Sequence, residues 1–331
     1  MRQLRRPKPH LPTLHRIETD HGQNWKGTKS DGPTGAEWRK PDVRGALIAM
    51  HGRVCAYCQS ELRRGDRGDV DHFRPRSLYR WLTYDFRNFL LSCLECNRTI
   101  KRSLFPLRPR ASHCTYARRK SLAREARLLL DPSVDEIDAW VTYDIKKETC
   151  PIVPMTSLPP KIAEMVEATI RFFRLNLETV ATPRLDLIAD RIRIMREAGA
   201  LLLKFEAGER DLATEIKVKA CRFLPHGLVA RKVLEVAGRQ DLLPTPEEEL
   251  EYFLHLLKER VDWLMATASA EQQHSESWQQ LHDELAYTLA TLWVDPPALD
   301  SERVGVLLAE FGLAEWVAPY RDRLTPRPRS A

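Results

Sequence analysis

What is scarce in this sequence closes off several classes of protein. No apolar run of about 18 residues occurs, so neither a membrane-spanning helix nor a membrane partner is predicted. The opening MRQLRRPKPH lacks the apolar stretch of a secretory signal, which predicts a soluble, cytoplasmic protein. Cysteine is sparse and odd in number, seven in 331 residues, with four of the seven in two Cys-x2-Cys pairs. In a reducing compartment that pattern argues for metal binding over disulfides. Cys114, Cys150 and Cys221 stand alone and read as small buried residues. A hydrophobic fraction of 43% excludes disorder.

Net charge is also small, +6 from 52 Lys+Arg against 46 Asp+Glu, but it is unevenly spread. Residues 1–130 carry 28 basic and 12 acidic side chains, a net of +16, whereas residues 131–331 carry 24 and 34, a net of −10. So dense a basic segment suits a phosphate-rich partner such as nucleic acid, and the acidic remainder would repel one.

Hydrophobic periodicity divides the chain further. Residues 1–34, rich in Pro, Arg and Lys, read as an extended basic arm. Residues 35–130 form a turn-rich domain flanked by a helix over 36–50 and a basic helix over 116–130. Residues 131–160 hold short strands, one at 139–145, and the Pro-rich linker PIVPMTSLPP. From 161 to 331 the pattern is helical, with helices expected over 161–175, 177–205, 211–223, 227–237, 247–270, 277–294 and 301–323. This predicts an α+β chain: a small zinc-stapled core followed by a mostly α-helical domain. Trp263, Trp278, Trp293 and Trp316 are either core or interface anchors, and PEEEL at 246–250 reads as a helix start.

The chemistry concentrates between residues 53 and 107. Cys55 and Cys58 (CAYC) and Cys93 and Cys96 (CLEC) form two knuckles, which together supply the tetrahedral thiolate shell of a closed, structural zinc site. Between them, GDVDHFRPRS sets Asp71 beside His72 after a strand-like stretch, followed by Arg74 and Arg76. Asn88 precedes the second knuckle, Asn97 follows Cys96, and Lys101 lies one turn further on. A carboxylate and an amide oxygen suit a hard divalent ion such as Mg2+, and an imidazole beside them can take a proton from water. Arg74, Arg76, Arg80, Lys101 and Arg102 are candidate phosphate contacts.

The joint pattern Cys-x2-Cys, Asp-His-Phe-x-Pro, Asn, Cys-x2-Cys-Asn-x3-Lys resembles the HNH endonucleases with a ββα-metal core, in their zinc-knuckle branch. The resemblance implies Asp71 as first metal ligand, His72 as general base, Asn88 as the residue bracing the ββα loop and Asn97 as second metal ligand. Asp replaces the first His of the family letters and Asn the last, which implies Mg2+ or Mn2+ at the catalytic position. Further stretches, WLTYDFRN, KRSLFPL, ARLLLDPSVDEIDAWVTYD and ATIRFFRLNLETV, are similar to the HNH subunit of Septu-type anti-phage systems and of related retron systems. That resemblance implies an endonuclease acting on nucleic acid, DNA first, with an SMC-like or ABC-type ATPase as partner of the acidic helical half. The competing readings are a catalytically silent zinc-knuckle nucleic-acid-binding module and a stand-alone restriction-type nuclease.

Overall fold

The computed structural model describes residues 1–8, 10–21, 35–62, 68–176, 184–268, 273, 275–297 and 299–325. In chain order its main elements are α1 (Pro12–His21), α2 (Pro41–His51), β1 (Asp69–His72), β2 (Phe89–Ser92), α3 (Ile137–Trp140), β3 (Val141–Tyr143) and β4 (Ile152–Pro154). The helices that follow are α4 (Pro160–Phe172), α5 (Leu185–Glu206), α6 (Ala213–Lys219), α7 (Gly227–Val236), α8 (Pro246–Thr267), α9 (Glu276–Val294), α10 (Ser301–Glu310) and α11 (Ala314–Leu324). The architecture is α+β, mostly helical with two two-stranded sheets among the described residues.

Contacts divide the chain into two compact units. The knuckle unit comprises Met1–Leu4, Arg53–Tyr79 and Leu90–Thr245, and the helical unit comprises Arg5–Gly52, Arg80–Phe89 and Pro246–Ala331. Helices after residue 160 therefore fall in both, those up to Thr245 in the first and those from Pro246 in the second.

β1 pairs with β2, of which Leu90–Ser92 belong to the knuckle unit, and all four residues of β2 are buried, as expected of a short apolar run closed in on both faces. A second sheet pairs β3 with β4 antiparallel, Val141 opposite Pro154 and Tyr143 opposite Ile152. The Asn176 side chain closes the outer edge of β4: its amide donates to the Ile152 carbonyl (2.7 Å) and accepts from the Ile152 N–H (2.9 Å). An edge so capped is not open to a further strand. Helices α5, α6 and α7 bury Leu202, Phe205, Ile216, Ala230 and Leu234 in one apolar cluster.

The helical unit is built on α2. Pro41 occupies the first turn, where a missing N–H costs nothing, and Gly52 ends the helix in the left-handed region (φ 66°). Every residue from Asp42 to His51 is buried. Gly45 allows α9 to cross at backbone distance, because a Cβ there would lie 2.6 Å from the Tyr287 Cβ and 2.8 Å from the Thr288 nitrogen. The buried Arg44 guanidinium donates to Glu284 of α9 at 2.6 Å.

Several expectations are corrected. Residues 12–21, read as extended arm, form α1, whose start is held by the Thr13 N–H and hydroxyl on the two Asp42 oxygens, both at 2.8 Å. Of the rest of the arm, residue 9 and residues 22–34 lie outside the described residues. The basic helix expected over 116–130 is a run of 3-10 turns at Tyr116–Arg124, kinked at Arg118, and Arg127 then bridges to Leu107 in extended conformation. The stretch expected to be a linker, 151–160, supplies β4 and the first residue of α4. The helix expected over 301–323 is two helices, broken where Gly312 turns left-handed (φ 69°).

Candidate metal and active site

The knuckles are assembled from local turns. Gln59 follows the second cysteine in the left-handed region (φ 65°), a position that favours glycine. Its own amide offsets that strain by donating to the Cys55 carbonyl at 3.0 Å. The Ala56 N–H donates to the Leu91 carbonyl (2.9 Å), tying the first knuckle to β2, whose end delivers Cys93. The four ligand sulfurs of Cys55, Cys58, Cys93 and Cys96 lie within 4.8 Å of one another, all buried. Cys58 and Cys93 are 3.8 Å apart. Four thiolates at about 2.3 Å from a tetrahedral zinc have sulfurs separated by roughly that distance, so the residues present fit the ion.

Without a cation such a cluster is electrostatically awkward. Burial pushes the Cys55 and Cys96 thiols well up, while hydrogen bonding from Cys55 holds Cys58 well down. Arg184 adds a compensating charge: its guanidinium lies 3.2 Å from the Cys96 sulfur and 4.0 Å from that of Cys93. It arrives from 88 residues beyond Cys96, in no motif, and no local sequence signal could have found it.

Strand β1 carries the second centre. Both oxygens of the buried Asp71 are engaged, one accepting from the Tyr57 hydroxyl at 2.6 Å and the other from the Lys101 ammonium at 2.9 Å. Lys101, fully buried, also donates to the His72 carbonyl at 2.8 Å. Burial, and then the neighbouring Asp71 carboxylate, pushes the Tyr57 phenol well above its usual range, so it remains a donor. Tyr57 stacks on Phe173 at 4.2 Å. It sits between the two cysteines of the first knuckle, so the zinc turn and the Asp71–His72 pair share one side chain. His72 is itself buried at the end of β1.

The turn after Cys96 is wound as a π-helix over Glu95–Lys101, a local widening frequent at functional sites. It places Asn97 and Arg98 on Asp69, the first residue of β1. Asn97 donates through its amide nitrogen at 3.0 Å, and Arg98 is bidentate at 2.7 and 2.6 Å. The Asn97 amide oxygen is left as its acceptor. Asp71, which already holds a cation in Lys101, and this oxygen are hard donors whose chemistry fits a divalent ion. Asn88 falls in the helical unit, buried, where it donates to the Leu82 carbonyl (3.3 Å) and braces the turn before β2.

Sequence reading named Lys101 and Arg74 as phosphate contacts, yet both are held inside by carboxylates. Arg74 donates to Glu125 at 2.9 Å, and the Tyr79 hydroxyl reaches the same carboxylate at 2.7 Å. Arg76 and Arg102 are exposed, as is Arg80 in the helical unit. Asp69, Tyr57 and Glu125 were missed. Tyr57 had a signal in its place between two ligands, and Asp69 in its alternation with Asp71 on a strand.

Against known proteins, residues 55–103 match the family model for HNH endonuclease. A Septu protein PtuB of Bacillus mycoides (strain KBAB4) is 28% identical over 112 residues, 30% of this chain and 37% of that protein. Another Septu protein PtuB, of Bacillus thuringiensis, is 38% identical over 61 residues, 18% of this chain and 24% of that protein. The chain thus matches between a quarter and two fifths of the length of these relatives. No solved structure matches it. The stretch that holds the cysteine cluster and the Asp71–His72 pair is an HNH endonuclease family domain.

Proposed function

We propose that the protein is a metal-dependent HNH endonuclease that hydrolyses phosphodiester bonds of nucleic acid, DNA first, as the effector of an anti-phage complex. The observation that carries this reading is the pair at the end of β1: Asp71 with His72 next to it, and Lys101 bridging the Asp71 carboxylate and the His72 carbonyl. His72 takes a proton from a water molecule, and the resulting hydroxide attacks the phosphorus in line. Asp71 and Asn97 would hold Mg2+ or Mn2+, which would supply charge stabilisation to the phosphate and the leaving 3′ oxygen. Lys101 keeps the Asp71 carboxylate and the His72 backbone in one relation, and Asn97 is oriented by its bond to Asp69. Zinc on the four cysteines is structural, since a closed thiolate shell leaves no position for water. Similarity to proteins named Septu protein PtuB supports the defence role, and an SMC-like or ABC-type ATPase is the partner this reading assigns to the acidic remainder of the chain.

Supercoiled plasmid with Mg2+ tests the chemistry. The parent should nick or linearise it, and His72→Ala, at unchanged zinc content, should be slower by a factor on the order of 10² to 10⁴. Equal cutting by the two would end the proposal. A second reading, a binding module that does not cut, is favoured by the engagement of both Asp71 oxygens, and it requires that the parent bind DNA without cleaving it.

A further inference from the structure

The cations that sequence reading assigned to phosphate are partly buried, while another set stands free of carboxylates. From Asn97 to Arg124 the chain carries nine Lys or Arg and no Asp or Glu. The last part of this stretch, the 3-10 turns of Tyr116–Arg124, buries none of its residues, so apolar packing does not account for it. Arg118, Arg119, Lys120 and Arg124 are exposed, and none forms an ion pair with a carboxylate among the described residues.

What holds the segment is its base. Glu125, just past its end, accepts the N–H of Cys114, just before its start, at 2.8 Å. The same carboxylate takes Arg74 and Tyr79, which follow His72 by two and seven residues. The Cys114 thiol donates to the Arg118 carbonyl (3.1 Å), and the Ser121 hydroxyl donates to that same carbonyl (2.8 Å). The Arg119 guanidinium carbon lies over the Tyr116 ring, 4.2 Å from its centroid. One buried acid thus closes a basic loop and fastens it to the turn that follows the catalytic histidine. Its negative charge is consumed by Arg74 inside, leaving the loop's own cations uncompensated outside.

We infer that the loop of residues 115–124 is a clamp for the phosphodiester backbone of the nucleic-acid substrate, with Arg119, Lys120 and Arg124 as its contacts. This rests on the proposed nuclease function and adds where the polyanion is gripped. Phosphate contacts carry no base information, so the clamp strengthens binding to every sequence alike.

The test uses the full chain with Arg119→Gln, Lys120→Gln and Arg124→Gln combined. Binding of a labelled 30-base-pair duplex, single-stranded DNA and RNA is measured against salt in the His72→Ala background. For the preferred polymer, each lost contact should lower the slope of log affinity against log salt by about 0.9 in a duplex or 0.7 in a single strand, and affinity near 0.15 M salt should fall by about tenfold or more. Hydrolysis of the small diester bis(p-nitrophenyl) phosphate by the same triple variant, with His72 intact, should match the parent. Unchanged slope and affinity overturn the clamp, whether or not the parent cuts DNA, and point to a protein partner for the loop. Loss of binding in a protein whose parent never cuts leaves the clamp standing and removes the nuclease. Lys120→Glu alone, at an exposed position, keeps the test open should the triple variant fold poorly, and a several-fold loss of affinity is expected from it.

Discussion

The surroundings of the cysteine cluster in the knuckle unit and the α2–α9 packing of the helical unit are stabilised by opposite means. Helices α5, α6 and α7 give the knuckle unit an apolar cluster of their own, but around the cysteines its strands have only three or four residues and the packing is tied by polar groups: four thiols with Arg184, Asp71 with Lys101 and Tyr57, Glu125 with Arg74, and Asp135 with Arg127. The helical unit closes α2, buried from Asp42 to His51, against α9 at glycine distance and admits the buried ion pair Arg44–Glu284. Small cores compensate with metals or cross-links, whereas helices of 11 and 19 residues supply an apolar core directly. The proposed active site falls in the first kind, where buried charges are already part of the structure.

That contrast breaks most sharply at the metal. Removing zinc with a chelator, or replacing Cys58 with Ser, should remove stabilisation on the order of 10 kcal/mol from the knuckle unit. Hydrogen exchange should then show lost protection in residues 53–62 and 90–101 and retained protection in α9. Uniform protection in zinc-free protein would mean that the cysteines do not staple the unit. The reverse break is Arg44→Met, which leaves Glu284 buried without that guanidinium and should cost about 3–5 kcal/mol. Zinc content should stay at the parent's level, and adding Glu284→Leu should recover most of the loss in denaturant unfolding. If the double variant is no more stable than the single one, the pair is not an isolated cost inside an apolar core.

Legibility in the sequence followed the same line. Both Cys-x2-Cys turns and the Asp71–His72 pair are contiguous spacings, and the structure brings the four sulfurs together. Groups that act across the chain were misread or unseen. Lys101 looked like a surface cation because nothing local says that a π-helical turn swings it under β1 to Asp71. Arg184 reaches the cysteines from a helix start 88 residues away. Residues 116–124 satisfied a helical pattern in composition, yet with no apolar face to bury they stop at 3-10 turns. Several helices from 160 onward, among them 161–175, 227–237 and 277–294, lie close to those observed, because amphipathic periodicity is local, whereas 211–223 is shortened to α6 and 301–323 is split in two. The parting of those helices at Thr245 and Pro246 depends on which segments pack together, information that periodicity does not carry.

Acidity gives a smaller and more selective way to separate the units. His226, at the start of α7 in the knuckle unit, is buried, and neither ring nitrogen has a hydrogen-bond partner among the described residues. Burial, with Arg191 nearby adding to the effect, lowers its pKa from 6.5 to about 4. The unfolded chain takes up a proton near pH 6.5 that the folded protein binds only near pH 4, so this site's contribution is complete above pH 6.5 and is lost as pH falls toward 4. At about 1.4 kcal/mol per pH unit, that is a loss on the order of 3 kcal/mol. Protonation of the cysteines will weaken zinc binding over part of the same range, so the measurement is a difference between two proteins. His226→Asn suits it, because asparagine tolerates the left-handed backbone at this position (φ 55°) and does not titrate. Denaturant midpoints for the knuckle unit at pH 7.5 and pH 5 should converge between parent and variant as pH falls, or cross, whereas midpoints for the helical unit should move in parallel. Parallel movement in both units would show that His226 accepts its proton without cost, and that the acid response of the knuckle unit belongs to the thiolates alone.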